Sequence, residues 1–181
     1  MLPEPGQVLH FSEDPAITRF SPHVAATAQQ PTAYVWAVDA AQAPSYWFPR
    51  QCPRAMAWTR PSSTVEDRAL ILGPGGGARV HAVEYGRLET IRTVELYAYR
   101  FDAADFHPFG DPDEPHAYVS ELTVEPLGPA EPVGDLLALH EKADIQLRVL
   151  PNLWGFWDAV AAGSLGFSGI RMRNALPRPA G

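Results

Sequence analysis

The sequence contains a single cysteine, a single lysine and no long apolar run. Cys52 has no second cysteine with which to form an internal disulfide, which is typical of a protein from a reducing compartment. The apolar runs at residues 69–72 and 159–162 are far shorter than the roughly 20 residues that a membrane-spanning helix needs. Residues 1–11 show no basic segment followed by an apolar one. We therefore expect a cytoplasmic protein that is neither secreted nor inserted in a membrane.

Positive charge is also scarce. The chain has 14 basic and 21 acidic residues, which gives a formal net charge of −7. A protein that binds nucleic acid without sequence specificity neutralises phosphates with lysine and arginine, so this balance argues against such a function. All the basic residues except Lys142 are arginines, whose planar guanidinium group suits carboxylate or phosphate.

The length and composition predict one globular domain that spans residues 1–181. Of these residues 46% are hydrophobic and 19% are charged, which is ordinary for a folded chain. The 19 prolines predict short elements joined by many loops. Strands are predicted at residues 7–12, 33–38, 54–59, 79–84, 93–101, 117–124 and 146–150, and helices at 40–47, 63–72, 134–142 and 152–162. This irregular mixture favours an α+β domain with a split, mostly antiparallel sheet and short helices.

Two segments have compositions that are found in ligand sites. The glycine-rich segment 73–77 follows a predicted helix and precedes a predicted strand, and it lacks the lysine and Ser/Thr of a phosphate-binding loop, so we interpret it as a connector. Residues 107–116 concentrate possible metal ligands, namely His107, Asp111, Asp113, Glu114 and His116. Three prolines and the lack of an HExxH or paired-cysteine spacing favour a solvated acidic loop, and we expect no metal.

Cys52 lies between Arg50 and Arg54, and flanking arginines lower the pKa of a thiol and activate it as a nucleophile. No nucleophile motif accompanies it, so an inert cysteine is the favoured interpretation. Aromatic residues cluster at two places: Tyr34, Trp36, Tyr46, Trp47 and Phe48, and then Trp154, Phe156 and Trp157. Such clusters usually pack in a core, but rings beside a cleft also stack on flat heterocycles.

Four segments resemble an uncharacterised bacterial family of about this length, and together they cover nearly the whole chain. They read LHFSEDPAITRFSPHV, YVWAVDAAQAPSYWFPRQCPR, YVSELTVEPLGP and LRVLPNLWGFWDAV. This resemblance implies no activity.

The order of these segments also resembles the ADP-ribosyltransferase fold. In that fold a first strand carries a histidine, a second strand carries an aromatic residue, and a late strand carries a glutamate before a proline-marked turn. The matching residues are His10, Tyr34 or Trp36, and Glu121. The resemblance implies that His10 binds a ribose hydroxyl and that Tyr34 or Trp36 stacks on nicotinamide. It also implies that Glu121 holds a ribose hydroxyl and stabilises the positive charge that develops on the sugar.

The same resemblance implies that Arg19 or Arg50 meets the pyrophosphate of NAD. The function it predicts is NAD-dependent transfer of ADP-ribose to an unknown acceptor, with NAD as a substrate and with His10 and Glu121 as catalytic residues. Two alternatives stay open. One is a non-enzymatic module that binds a small ligand or a nucleotide, and the other is a metal-dependent hydrolase built on residues 107–116.

Overall fold

The computed structural model describes residues 1–24, 31–75, 77–111 and 114–179. The chain divides into two compact units. Unit 1 comprises residues 1–47 and 95–134, and unit 2 comprises residues 48–94 and 135–181. Each unit is therefore assembled from two distant stretches of sequence. The assignment of residues 1–181 to one domain stays a prediction.

Short strands and short helices make up the described residues. In chain order the strands are β1 (Gln7–Ser12), β2 (Val35–Ala37), β3 (Arg54–Trp58), β4 (Arg79–Glu84), β5 (Tyr97–Asp102), β6 (His107–Gly110), β7 (Pro115–Ser120), β8 (Glu131–Pro132), β9 (Ile145–Leu150) and β10 (Gly166–Ile170). The α-helices are α1 (Val65–Ile71), α2 (Leu88–Thr93), α3 (Leu136–Lys142) and α4 (Trp154–Ala162). None of the helices in these ranges has the length and apolar character to cross a bilayer.

Unit 1 contains two three-stranded sheets, in the orders β1-β5-β8 and β2-β7-β6, and all of these pairs are antiparallel. One isolated bridge between Leu9 and Val38 joins β1 to the end of β2. The core of the unit packs around Phe20, whose ring lies 4.9 Å from that of Tyr99 and 5.1 Å from that of Phe101, both edge to face. Aromatic pairs in this geometry add to the free energy gained by burying the rings.

Unit 2 contains a four-stranded sheet in the order β10-β3-β4-β9. Among the strand pairs of the described chain, β4 and β9 form the one parallel pair. Helices α1 and α4 pack on this sheet through a buried apolar cluster of Ala57, Ile71, Leu72, Val80, Val160 and Leu165. The prediction of an α+β chain with mostly antiparallel strands and short helices is confirmed.

Polar side chains set the first residues of two helices. The Thr64 hydroxyl accepts a hydrogen bond from the Asp67 N–H at 3.2 Å, so α1 begins at Val65. Asp135 accepts hydrogen bonds from the Leu137 and Ala138 N–H groups at the start of α3. Both starts lie within two residues of those predicted. The glycine-rich segment enters β4 as predicted, although Gly76 lies outside the described residues.

Several predicted elements are wrong in length or kind. The predicted strand 117–124 ends at Ser120, because the Ser120 hydroxyl accepts from the Leu122 N–H at 3.3 Å and turns the chain into a bend. Thr93 ends α2, a helix that the sequence did not indicate, so β5 begins only at Tyr97. The expected loop at residue 107 is instead strand β6. The predicted helix at 40–47 is a single 3-10 turn, Ala43–Tyr46.

The N-terminal cap of α1 provides a test of this fold. We expect Thr64→Ala to lower the free energy of unfolding by about 1 kcal/mol, because it leaves one N–H of the first helical turn without its acceptor. Urea unfolding followed by circular dichroism measures the change. Ser62→Ala, an exposed hydroxyl two residues earlier, is the matched control and should leave stability within about 0.5 kcal/mol of wild type. Equal losses in the two variants would contradict the capping role.

Candidate functional site

One face of the β2-β7-β6 sheet carries a cluster of aromatic rings. The Phe109 ring lies 5.0 Å from the Trp36 ring and 5.7 Å from the Tyr34 ring, and the rings of Tyr34 and Trp36 are 5.9 Å apart. All three pairs are edge to face, and all three side chains are partly exposed. We call this cluster of Tyr34, Trp36 and Phe109 the aromatic face.

Strand register explains why these rings share a face. Trp36 pairs with Val119, and Val119 pairs with His107 on its other side. Side chains that are directly opposite in a ladder point to the same face, as do residues two apart along a strand. Trp36 and Tyr34 therefore lie on the side of the sheet that also carries His107 and Phe109. The His107 ring is 6.3 Å from the Tyr34 ring.

The β6–β7 turn brings a second imidazole to the aromatic face. Gly110 has φ 108°, and the strand register shifts between Phe109 and Gly110. A Cβ atom at Gly110 would overlap the His116 ring, so only glycine allows this ring to pack against the turn. The His116 ring then lies 5.4 Å from that of Phe109.

The indole of Trp36 leaves one donor unused. Its Nε1 atom is buried, and no acceptor lies within hydrogen-bonding distance in the part of the chain that the structure describes. An unsatisfied buried N–H costs about 1–3 kcal/mol, and native structures contain few of them. Trp36 therefore carries a donor that is closed to solvent and unsatisfied within the described residues.

His10 contacts the backbone of Trp36 but not its ring face. Its Nδ1 atom donates to the Trp36 carbonyl at 2.7 Å, and its ring lies 4.9 Å from that of Phe20 in the core of unit 1. Leu9 and Val38 exchange two backbone hydrogen bonds of 2.8 Å, which places Leu9 on the face of Val38 and Trp36. Because side chains alternate along a strand, His10 lies on the opposite face of the sheet from the aromatic face.

Glu121 is exposed and follows the last residue of β7. Ser120 pairs with Val35, so Glu121 lies near the end of β2 that Tyr34 precedes. No hydrogen bond or ion pair from Glu121 to another described residue is present. Strands β1 and β7 lie on opposite edges of β2, and register places His10 of β1 at the Val38 end of β2. Register thus places Glu121 toward the Tyr34 end of β2 and His10 toward the Val38 end.

The two arginines predicted to meet a pyrophosphate have different surroundings. In unit 1, Nη2 of Arg19 lies 2.9 Å from a carboxylate oxygen of Glu125, and both side chains are exposed. Arg50 belongs to unit 2, where its backbone carbonyl accepts a hydrogen bond from Nε of Arg171 at 3.1 Å. Their proposed contact with NAD stays a prediction.

Unit 1 also contains a proline-lined cleft of about 330 Å³. Its walls are residues of the segment after β1 and of the loop after β7, namely Pro15, Ala16, Ile17, Thr18, Glu125, Pro126, Gly128, Pro129 and Ala130. The Tyr99 hydroxyl holds the first wall in place, because it accepts from the Ile17 N–H at 3.0 Å and donates to the Asp14 carbonyl at 2.6 Å. Tyr34 and Trp36 do not line this cleft.

Within the segment 107–116, residues 107–110 belong to β6 and residues 115–116 to β7, where the sequence predicted a solvated loop. Within the described residues, no group of three histidine, cysteine or carboxylate side chains is arranged to hold a metal ion. Asp113, one of the ligands considered from the sequence, lies outside the described residues. The expectation of no metal stays a prediction.

Cys52 is buried in unit 2, which agrees with the favoured interpretation of an inert cysteine. Burial raises the pKa of the thiol to about 11, and the opposing effects of Arg54 and Arg87 are smaller. The Sγ atom donates to the Pro53 carbonyl at 3.6 Å. Cys52 is therefore a protonated, packed side chain at neutral pH.

Unit 2 contains a buried chain of hydrogen bonds that the sequence did not reveal. Nε of Arg79 donates to Nε2 of His81 at 2.8 Å, and Nδ1 of His81 lies 3.0 Å from Nε2 of His140. Nδ1 of His140 lies 2.6 Å from the Leu136 carbonyl. A carbonyl only accepts, so His140 carries its hydrogen on Nδ1 and accepts from His81 through Nε2. His81 in turn accepts from Arg79 through Nε2. The Leu136 carbonyl therefore fixes the positions of the hydrogens on both imidazoles.

Both imidazoles are held neutral by their surroundings. Burial lowers the pKa of His81 well below its usual value, and the positive charge of Arg79 lowers it further. Burial also lowers the pKa of His140, against the opposite effect of its bond to the Leu136 carbonyl. Burial lowers the pKa of Arg79 to about 10, which leaves it charged at neutral pH. Only two features of the sequence pointed to this buried pair: a histidine inside an apolar strand, and a second histidine four residues after Leu136 on a helix.

Fold and site together define an α+β protein with an aromatic sheet face in unit 1. The chain belongs to DUF6886, a family of unknown function whose model matches residues 9–175. The resemblance to an uncharacterised family is thereby confirmed. No curated protein and no solved structure matches the chain. The family match covers every predicted site residue and does not support the resemblance to ADP-ribosyltransferases.

The buried histidines predict how stability depends on pH. A histidine whose folded-state pKa is lowered binds its proton first in the unfolded chain. Stability is then full above about pH 6.5 and falls as the pH falls, by up to about 1.4 kcal/mol per pH unit for each such group. Urea unfolding between about pH 5 and pH 8 measures this slope.

Substitution of one histidine tests the origin of that slope. His140→Leu should flatten the acid limb while lowering stability at every pH, because His81 loses its acceptor. His116→Gln, at an exposed histidine of unit 1, is the control and should keep the wild-type slope. An acid limb that is unchanged in His140→Leu would show that the buried pair does not cause it.

Proposed function

We propose that the protein binds a small molecule with a flat heterocyclic ring at the aromatic face of unit 1. The observation that carries this proposal is the cluster of Tyr34, Trp36 and Phe109, whose rings lie within 5.0–5.9 Å of one another on one sheet face and stay partly exposed. Aromatic side chains that serve only the core are usually covered, and partly exposed rings offer a surface on which a planar ligand stacks.

The edges of the aromatic face supply the polar contacts that orient a ligand. The imidazoles of His107 and His116 are exposed and flank Tyr34 and Phe109, respectively. A planar heterocycle stacked on the aromatic face would lie beside these imidazoles. A few placed polar groups on an apolar surface are the usual composition of a small-molecule site.

Removal of single rings tests this function. We expect wild-type protein to bind quinoline in a calorimetric or fluorescence titration, and Trp36→Leu and Phe109→Leu each to weaken binding by about tenfold, since stacking and edge-to-face contacts contribute about 0.5–1.5 kcal/mol per ring pair. Tyr97→Leu is the matched control, because it removes a ring of similar size from β5 of the same unit. Binding that is lost equally in the control, or absent in wild type at millimolar ligand, would overturn the proposal.

NAD-dependent ADP-ribosyl transfer is the second candidate. The observation in its favour is the 2.7 Å bond from Nδ1 of His10 to the Trp36 carbonyl, which fixes the hydrogen and the orientation of the imidazole beside β2. In that reaction the bond between nicotinamide and ribose breaks, nicotinamide leaves, and the acceptor takes the ADP-ribose and loses a proton. Glu121 would stabilise the positive charge on the sugar. This candidate comes second because register places His10 and Glu121 toward opposite ends of β2.

Release of nicotinamide decides the second candidate. Wild-type protein incubated with NAD should release nicotinamide, Glu121→Gln should abolish the release, and His10→Ala should lower it by about 10²–10³-fold. Glu4→Gln, another exposed carboxylate of unit 1, is the control and should keep full turnover. Circular dichroism checks that each variant is folded. Wild-type turnover in Glu121→Gln would remove Glu121 from the mechanism.

A further inference from the structure

We infer that the ligand of the aromatic face is an organic cation. The inference rests on the proposed function, and it adds the charge of the ligand. The nicotinamide ring of NAD is itself a planar cation, but NAD also carries a pyrophosphate, whereas a simple planar cation carries no group that needs an arginine. The supporting observations are the distribution of charge between the units, the partners of two arginines and the carboxylates near the rings.

The net charge of −7 conceals an uneven distribution. Unit 1 has thirteen acidic residues, two arginines and no lysine, so its formal charge is −11. Unit 2 has eight acidic and twelve basic residues, so its formal charge is +4. The aromatic face belongs to the strongly acidic unit. A charge of this size creates a potential that concentrates cations at the surface and repels anions.

Both arginines of unit 1 already bind carboxylates. Arg19 forms an ion pair of 2.9 Å with Glu125. Arg100 contacts both carboxylate oxygens of Glu131, at 2.7 Å from Nε and 3.1 Å from Nη2, and donates to the Gln7 side chain as well. The usual partners of phosphate in proteins are arginine, lysine and backbone N–H groups. An anionic ligand that binds through an arginine of unit 1 would therefore have to compete with a glutamate.

Acidic residues follow two of the strands that carry the aromatic face. Glu121 is exposed after the last residue of β7, near the Tyr34 end of β2. Asp111 and Glu114 belong to the β6–β7 turn, two and five residues after Phe109, and the Glu114 N–H donates to the Asp111 carbonyl at 3.2 Å. The face of an aromatic ring is itself negative and attracts cations by about 0.5–2 kcal/mol. The rings and the carboxylates therefore both favour a positively charged ligand.

Three probes of nearly the same shape test the sign of the charge on the full-length chain. They are 1-methylquinolinium, which is a cation, neutral quinoline, and quinoline-3-carboxylate, which is an anion. We expect the cation to bind about tenfold more tightly than quinoline, and the carboxylate to bind most weakly. Raising the salt concentration from about 20 to about 500 mM should weaken binding of the cation several-fold and leave the affinity for quinoline unchanged, because salt screens the interactions of the charged probe only.

A pair of isosteric variants tests the local carboxylate. Glu121→Gln should lower the ratio of cation to quinoline affinity by about two- to fivefold, as expected for one partly screened charge. Glu4→Gln removes one negative charge from the same unit, but Glu4 precedes β1 and lies beyond the Val38 end of β2 rather than the Tyr34 end. This variant should keep the wild-type ratio of cation to quinoline affinity. An equal fall in the two variants would contradict the assignment of Glu121 to the site.

The outcomes separate the inference from the proposed function. If quinoline binds but the three probes have equal affinities, or if the carboxylate binds most tightly, the inferred charge is wrong and the aromatic face still binds flat rings. If none of the three probes binds, the proposed function fails and the inference fails with it. Tight binding of 1-methylquinolinium that weakens as the salt concentration rises supports both the proposed function and the inferred charge of the ligand.

Discussion

Two backbone hydrogen bonds between Leu9 and Val38 determine which side chains of unit 1 share a surface. They join β1 to β2 in one antiparallel register, and the alternation of side chains then assigns every residue of the connected strands to one of two faces. His10 goes to the face that packs around Phe20, and Trp36 goes to the aromatic face. A shift of one residue between β1 and β2 would turn His10 to the side of the aromatic face and Leu9 to the core around Phe20.

The two units use polar side chains in opposite ways. In unit 1 the charges stay at the surface, both arginines are paired with glutamates, and the buried polar atom that stands out is Nε1 of Trp36. Unit 2 instead buries His81 and His140 in a chain of bonds that ends at a carbonyl, where each donor has an acceptor. A satisfied buried chain stabilises the fold, whereas an unsatisfied buried donor costs free energy.

Local signals in the sequence predicted several elements correctly. Strands β1 and β4 have the predicted bounds, because their alternation or apolar content is uninterrupted. The starts of α1 and α3 follow from Thr64 and Asp135, whose side chains act on N–H groups two or three residues away. Strand β7 ended early because a hydroxyl at Ser120 competes with the ladder, and a single serine in an apolar run gives no warning of this. Helix α2 is too short, with one buried residue at Ile91, to show a period.

The sequence by itself determined the class of fold and the bounds of the most regular elements, since these depend on residue type and on neighbours a few positions away. Tertiary structure alone decided that β4 pairs in parallel with β9, that His81 meets His140, and that Tyr34, Trp36 and Phe109 form one surface while His10 lies on the other side of the sheet. These facts depend on register between segments that are far apart in the sequence, from 29 residues for Leu9 and Val38 to 75 residues for Tyr34 and Phe109. Register follows from the packing of whole strands, which no local pattern encodes.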